Sequence, residues 1–226
     1  MVRNPLLATA MCVLQAHNVP LPTSEIRLYQ EWLSLLVGVY DTHKSVHRLE
    51  FPRHQLEFLA QKIAFHLHAR GCREESRGSL ETFAAKVFDN VMDANNAKKV
   101  LHELVHPCNI LVPMAWGDKW GFGHLRYQEY LAALELRHNR ALKLSHFIDS
   151  PWWSGVLMLF AQMQDSLAWI VDEIAEVGIT EAATATLLAM LDFGPKQDQK
   201  DLATFIEQKR ALDHSIEKSL DLVSKT

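Results

Sequence analysis

The sequence predicts a mainly α-helical protein with one small β element near its middle. Apolar residues recur at helical spacing through most of the 226 residues. Only "ILVPMAW" and "WGFGH" look like strands, and Gly117-Asp118-Lys119 between them is typical of a hairpin turn. Hydrophobic residues make up 48% of the chain, which is enough apolar surface for one large domain or two to three small ones.

The first 50 residues predict two helices. Pro5 suits the first position of a helix capped by Asn4, with Leu6–Gln15 as its body. A secretory signal peptide is the alternative for this stretch, but it lacks a clear small-x-small cleavage site. Thr23 or Ser24 can cap the second helix. The predicted buried face of that helix consists of Ile26, Tyr29, Leu33, Leu36 and Tyr40.

Residues 51–145 predict a winged helix. A first helix buries Leu56, Leu59, Ile63 and Leu67 and can end at Gly71. A polar loop, "GCREESRGS", leads to a helix capped by Ser79. After the polar turn Asp93–Asn96, a second short helix is stopped by Pro107. Helix, turn, helix and then a two-stranded wing is the winged-helix order.

The rest of the chain, residues 146–226, predicts a helical segment. Four short helices follow Pro151, with breaks at Gln164-Asp165, Val177-Gly178 and Gly194-Pro195. Helices of this length suit the stacked pairs of a solenoid. The segment has no clean repeat period.

Composition argues against several classes of function. The net charge of −4 is unlike that of a general nucleic-acid binder, which needs a surplus of basic residues. Three widely spaced cysteines indicate a reducing compartment, so we expect a cytoplasmic protein. The apolar run "WWSGVLMLFAQMQ" meets polar residues too early to span a bilayer. A winged-helix DNA-binding regulator stays an alternative, because Asn95, Asn96, Lys98 and Lys99 begin the second short helix.

Residues 102–106, "HELVH", match the H-E-x-x-H pattern of zinc metallopeptidases. In such a site His102 and His106 bind zinc from one helical face, and Glu103 is the general base. Proline disfavours helical backbone in the residue before it, and Pro107 follows His106 directly. A zinc metallopeptidase is therefore the weaker alternative, and we expect no metal.

The run "WGFGHLRYQEYLAALEL" resembles the winged-helix signature of NACHT-type STAND ATPases, in which an aromatic wing strand precedes a histidine and an aromatic-Gln-Glu-Tyr-Leu-Ala-Ala helix. The matching residues are Phe122, His124, Tyr127, Gln128, Glu129, Tyr130, Leu131, Ala132 and Ala133. Upstream, "NPLLATAMCVLQAHNVPLPTSEIRLYQEWLSLLV" resembles the helical domain that follows the family's ATPase core. Together the two cover about residues 4–140, in the family's order.

The resemblance implies a regulatory role. The chain has no G-x-x-x-x-G-K-[ST] loop and no acidic Walker B strand, so we expect no catalysis and no cofactor in this chain. ADP or ATP with magnesium would bind an upstream nucleotide-binding domain of the same protein. The resemblance implies that His124 contacts the β-phosphate of ADP and that Pro5 packs near adenine. It also implies homo-oligomers on activation and signal transduction in prokaryotic antiviral defence. From the net charge and the short apolar run, we expect neither nucleic acid nor a membrane as partner. Gln128 and Glu129 are predicted to hold the wing against the following helix.

Overall fold

The computed structural model describes residues 5–16, 20–38, 49–114, 117–175 and 177–223. These residues form helices and one small antiparallel sheet, so the predicted mainly α class is confirmed. The chain divides into two compact units, residues 1–135 and 136–226. Across the described ranges, no helix combines the length and the apolar composition needed to cross a bilayer.

The first unit begins with two packed helices, α1 (Pro5–Ala16) and α2 (Glu25–Leu36). Ser24 caps α2, since its hydroxyl accepts the backbone N–H of Arg27 at 3.2 Å. Two faces of α2 are buried rather than one. Leu28 and Leu35 pack with Leu14 of α1, whereas Tyr29 and Leu33 belong to the predicted face. Asn4 and Tyr40 lie outside the described residues.

The predicted helix-turn-helix and wing are present in the first unit. Its elements are α3 (Arg53–Ala69), β1 (Glu74–Ser76), α4 (Arg77–Val87), α5 (Ala94–Val105), β2 (Val112–Pro113) and β3 (Lys119–Gly121). All four apolar residues predicted for α3 are fully buried. They share the core with Leu80 of α4 and with Val100, Leu101 and Leu104 of α5, which are fully buried as well. Asp93 caps α5 by accepting the amides of Asn95 and Asn96.

The sheet has a third strand where the sequence predicts a polar loop. Its order is β1-β3-β2, with Glu74 and Val112 both opposite Gly121. Pairing with β3 holds the three polar residues Glu74–Ser76 extended, so the loop prediction is wrong for them. The cap of α4 is also displaced: Ser76 accepts the amide of Ser79, the residue predicted as the cap. A side chain at Gly121 would collide with the carbonyl oxygen of Arg73.

Among its described residues, the second unit has helices joined by short connections and has no strand. Helix α6 (Leu125–His138) begins before the boundary of the two units and ends beyond it. The later helices are α7 (Ser154–Gln162), α8 (Ile170–Ile174), α9 (Glu181–Phe193) and α10 (Gln199–Val223). All three predicted breaks are confirmed, and α9 packs against both α7 and α10. Helix α10 has 25 residues, so the prediction of four short helices is wrong for the last one.

Candidate functional site: the cleft beside His124

His124 lies between the sheet and the helix that follows it. Strand β3 ends at Gly121, three residues earlier, so His124 stands in the turn before α6 and not at the end of the strand as predicted. The side chain is exposed. Its backbone N–H donates to the carbonyl oxygen of Phe122 at 2.7 Å, which fixes the tight turn.

His124 caps α6 with one of its two ring nitrogens. Nδ1 accepts the backbone N–H of Arg126 at 3.1 Å, and the backbone carbonyl of His124 accepts the N–H of Tyr127 at 3.1 Å. A neutral imidazole whose Nδ1 accepts a hydrogen bond carries its proton on Nε2. Within the described part of the chain, Nε2 has no hydrogen-bond partner. One nitrogen thus orients the ring while the other remains a donor.

His124 borders a cleft with a volume of about 340 Å³. The cleft lies where α2 meets the winged helix, entirely within the first unit. Its lining is mostly apolar and rich in aromatic rings. The lining residues are Tyr29, Trp32, Leu33, Leu36, Asn109, Ile110, Val112, Phe122, Gly123, His124, Tyr127, Tyr130 and Leu131.

Aromatic rings join α2 to α6 along this cleft. The rings of Trp32 and Tyr127 are nearly parallel, with centroids 6.0 Å apart, and the centroids of Tyr29 and Tyr130 are 5.1 Å apart. Burial raises the pKa of the Tyr127 hydroxyl above its ordinary range. Burial also raises the pKa of Tyr29, and the neighbouring Glu25 carboxylate adds to that effect. Both phenols are therefore neutral donors at physiological pH.

An ion-pair network lies next to the aromatic rings. Arg126 donates to Glu25 of α2 from Nε and Nη2, at 3.0 and 3.2 Å, and to Glu129 from Nη1 at 3.0 Å. The Tyr29 hydroxyl donates to the same Glu25 carboxylate at 3.1 Å. The turn of α6 that His124 caps is thereby tied to the first turn of α2.

Gln128 is a buried structural residue, but its hydrogen bonds differ from the predicted contact with the wing. Its side chain is buried, and Nε2 donates to the backbone carbonyl of Cys72 at 2.9 Å. The same Nε2 lies 3.4 Å from Nδ1 of His68. Gln128 therefore ties α6 to the end of α3, and not to the wing.

Pro5 is the first residue of α1, as the sequence predicts. Its side chain lies outside the described part of the structure. The adenine contact implied for Pro5 therefore stays a prediction.

The three polar residues of "HELVH" have different structural roles. Glu103 is buried, and its two carboxylate oxygens accept the backbone amides of Glu50 and Phe51 at 2.6 and 3.1 Å. Nε2 of His102 lies 3.0 Å from the carboxylate of Glu81. His106 is the extended residue that ends α5. Among the described residues, no three histidine, cysteine or acidic side chains are grouped closely enough to hold a metal ion.

The polar side chains at the start of α5 pair with acidic neighbours. Lys98 lies 3.5 Å from Glu81, and Lys99 lies 3.6 Å from Glu50. The Asn96 amide donates to Asp93 at 2.7 Å. The alternative of a DNA-binding regulator stays a prediction that these contacts do not test.

Comparison of the chain with family models, with curated protein sequences and with solved structures gives no match. The resemblance to the NACHT-type region therefore depends on the residues of this sequence alone.

Proposed function

We propose that this chain is the regulatory part of a NACHT-type STAND ATPase, a conformational switch that closes on ADP in the resting protein and releases it on activation. The observation that supports this most directly is the ring of His124. It is exposed beside the cleft, its orientation is set by the cap of α6, and its Nε2 is a donor without a partner in the described residues.

A single donor of this kind has enough energy to bias a switch. A hydrogen bond to a charged oxygen contributes about 1.5–3 kcal/mol. A two-state protein needs only a few kcal/mol of bias to populate one state strongly. A β-phosphate oxygen held by Nε2 of His124 would therefore favour the closed, ADP-bound state.

The contacts between α2 and α6 support movement of the two helices as one body. Arg126 pairs with Glu25, and Trp32 stacks on Tyr127. A displacement of His124 would be transmitted to α2 through these contacts. The element predicted to move is then the whole α2–winged-helix assembly rather than the wing alone.

The nucleotide machinery of this proposal belongs to an upstream domain. The chain contains no phosphate-binding loop, so that domain would supply the magnesium site and most contacts to ADP or ATP. The parent protein would be cytoplasmic, would form homo-oligomers on activation and would signal in prokaryotic antiviral defence. Neither nucleic acid nor a membrane is part of the proposal.

To test this proposal, the chain is expressed in frame with the coding sequence upstream of Met1, and the release of ADP from the purified protein is measured. His124→Asn retains a side-chain acceptor for the cap of α6 but lacks the Nε2 donor. We expect ADP to leave about 10- to 100-fold faster from this variant, the range that corresponds to one charge-assisted hydrogen bond. The matched control is His54→Ala, which alters an exposed histidine on α3. Equal release rates in all three proteins would contradict the proposed contact.

A second measurement uses the chain by itself. Without a phosphate-binding loop it should neither hydrolyse ATP nor bind it tightly. Isothermal titration that gave a micromolar dissociation constant for ATP would show that this chain is not the downstream part of such an enzyme.

A further inference from the structure

The cleft beside His124 has the size of a small-molecule site. Ligand sites in proteins are concave, about 300–1,000 Å³ in volume, and mostly apolar with a few polar groups. At about 340 Å³, this cleft falls at the small end of that range. This inference is tested separately from the proposed nucleotide contact, because its experiment uses the chain alone.

The walls of the cleft favour a planar aromatic occupant. Five of the lining residues are aromatic: Tyr29, Trp32, Phe122, Tyr127 and Tyr130. Aromatic rings attract one another in offset-stacked and edge-to-face arrangements, beyond the effect of the area that they bury. An aliphatic molecule of the same size would lack that additional attraction.

The donors of the cleft that lack partners within the described residues include the Tyr127 hydroxyl and Nε2 of His124. The Tyr127 side chain is partly buried. A partly buried donor without a partner gains stability when a ligand supplies an acceptor. Asn109 also lines the cleft, but its amide donates to the carbonyl oxygen of Pro107 at 3.2 Å. The polar lining therefore offers donors from α6 and from the turn before it.

We propose that this cleft binds a small planar aromatic molecule that carries a hydrogen-bond acceptor, such as a nitrogen heterocycle. The ring lies among the aromatic side chains, and the acceptor receives a hydrogen bond from Tyr127 or His124. Because the ligand contacts both α2 and the winged helix, it stabilises the packing of the two against each other. A ligand that binds only this packed arrangement raises the melting temperature of the protein.

The test measures binding of three probes to the full chain by ligand-observed NMR. Quinoline has an aromatic ring and an acceptor, naphthalene has only the ring, and cyclohexanone has only the acceptor. We expect saturable binding of quinoline and naphthalene and none of cyclohexanone. Tyr127→Phe or His124→Asn should weaken quinoline about fivefold, the loss expected for one neutral hydrogen bond, and should change naphthalene by less than twofold.

Two tryptophan variants locate the site. Leu36→Trp fills the cleft and should abolish binding of both aromatic probes. Leu21→Trp is the matched control, because Leu21 is 45% exposed and is not among the residues that line the cleft; it should bind both probes like the unchanged protein. The proposal is overturned if no aromatic probe binds saturably, if cyclohexanone binds as well as quinoline, or if Leu36→Trp retains binding. It is also overturned if neither donor variant alters the preference for quinoline.

Discussion

The guanidinium of Arg126 donates a hydrogen bond to each carboxylate oxygen of Glu25, at 3.0 and 3.2 Å, although the two residues are 101 positions apart in the sequence. Both side chains are only about a quarter exposed, at 22% and 26%. Paired hydrogen bonds of this kind are geometrically specific as well as strong. The pair therefore fixes how the first turn of α2 sits on the first turn of α6.

Removing this pair should destabilise the first unit measurably. We expect Arg126→Met to lower the free energy of unfolding by about 1–3 kcal/mol, because Glu25 loses a charged partner in a partly buried setting. Urea titrations of Arg126→Met, Glu25→Gln and the double variant give the coupling energy. Arg53→Met is the control: its partner Glu57 is four residues away on the helix surface, and such pairs contribute about 0.3–0.5 kcal/mol. Equal losses for Arg126→Met and Arg53→Met would refute this role of Arg126.

Glu81 should make the free energy of unfolding depend on pH in the acidic range. Hydrogen bonds from Arg77, which has the larger effect, and from His102 lower the pKa of Glu81 from 4.5 to about 2. The ionised carboxylate therefore contributes its full stabilisation above about pH 4.5 and loses it as the pH falls towards 2. Melting curves at several pH values should show that Glu81→Gln flattens the pH dependence between 4.5 and 2. Arg77→Gln should flatten it as well. A slope in this window that matches the unchanged protein in both variants would contradict the assignment.

Zinc should not bind at "HELVH". Both oxygens of Glu103 accept backbone amides, and His106 ends the helix in an extended conformation. The purified protein should contain no stoichiometric zinc by plasma mass spectrometry, and His102→Ala should not change its metal content. Zinc at one equivalent, lost in His102→Ala, would revive the metallopeptidase alternative.

The cap of α6 can be separated from the free nitrogen of His124. His124→Ala removes the acceptor for the amide of Arg126 and should lower the free energy of unfolding by about 1 kcal/mol, while the protein still folds. His124→Asn should recover most of that loss, because asparagine is a favoured cap. Thermal unfolding of the chain alone distinguishes the two. If either variant failed to fold, His124 would be assigned a structural role rather than a role in binding.

Local signals were sufficient to predict most of the helices and the wing. Ser24 caps α2 as expected, and Leu56, Leu59, Ile63 and Leu67 form the buried stripe of α3. In these segments the spacing of apolar residues, the caps and the turn residues all indicate the same structure.

The features that the sequence did not predict depend on distant partners. Strand β1 has no apolar alternation, and its extended backbone follows from pairing with β3. Glu103 resembles a catalytic base within its motif, but the amides that it accepts lie 53 and 52 residues away. The ion pair of Arg126 with Glu25 and the cleft beside His124 likewise require α2 to meet α6. A helical period shows that a face is buried but not which element covers it.

The strand order β1-β3-β2 has a consequence for synthesis on the ribosome. Strands β1 and β2 both pair with β3, the last of the three to emerge, and not with each other. The backbone of Glu74 can pair only after Gly121 has been synthesised. The sheet therefore cannot begin to assemble until the whole wing has left the exit tunnel. The two outer strands should then gain amide protection together in a pulse-labelling experiment on stalled chains of increasing length. Helix α5 is complete well before that moment, and the winged helix would therefore exist first as a nascent helical cluster without its wing.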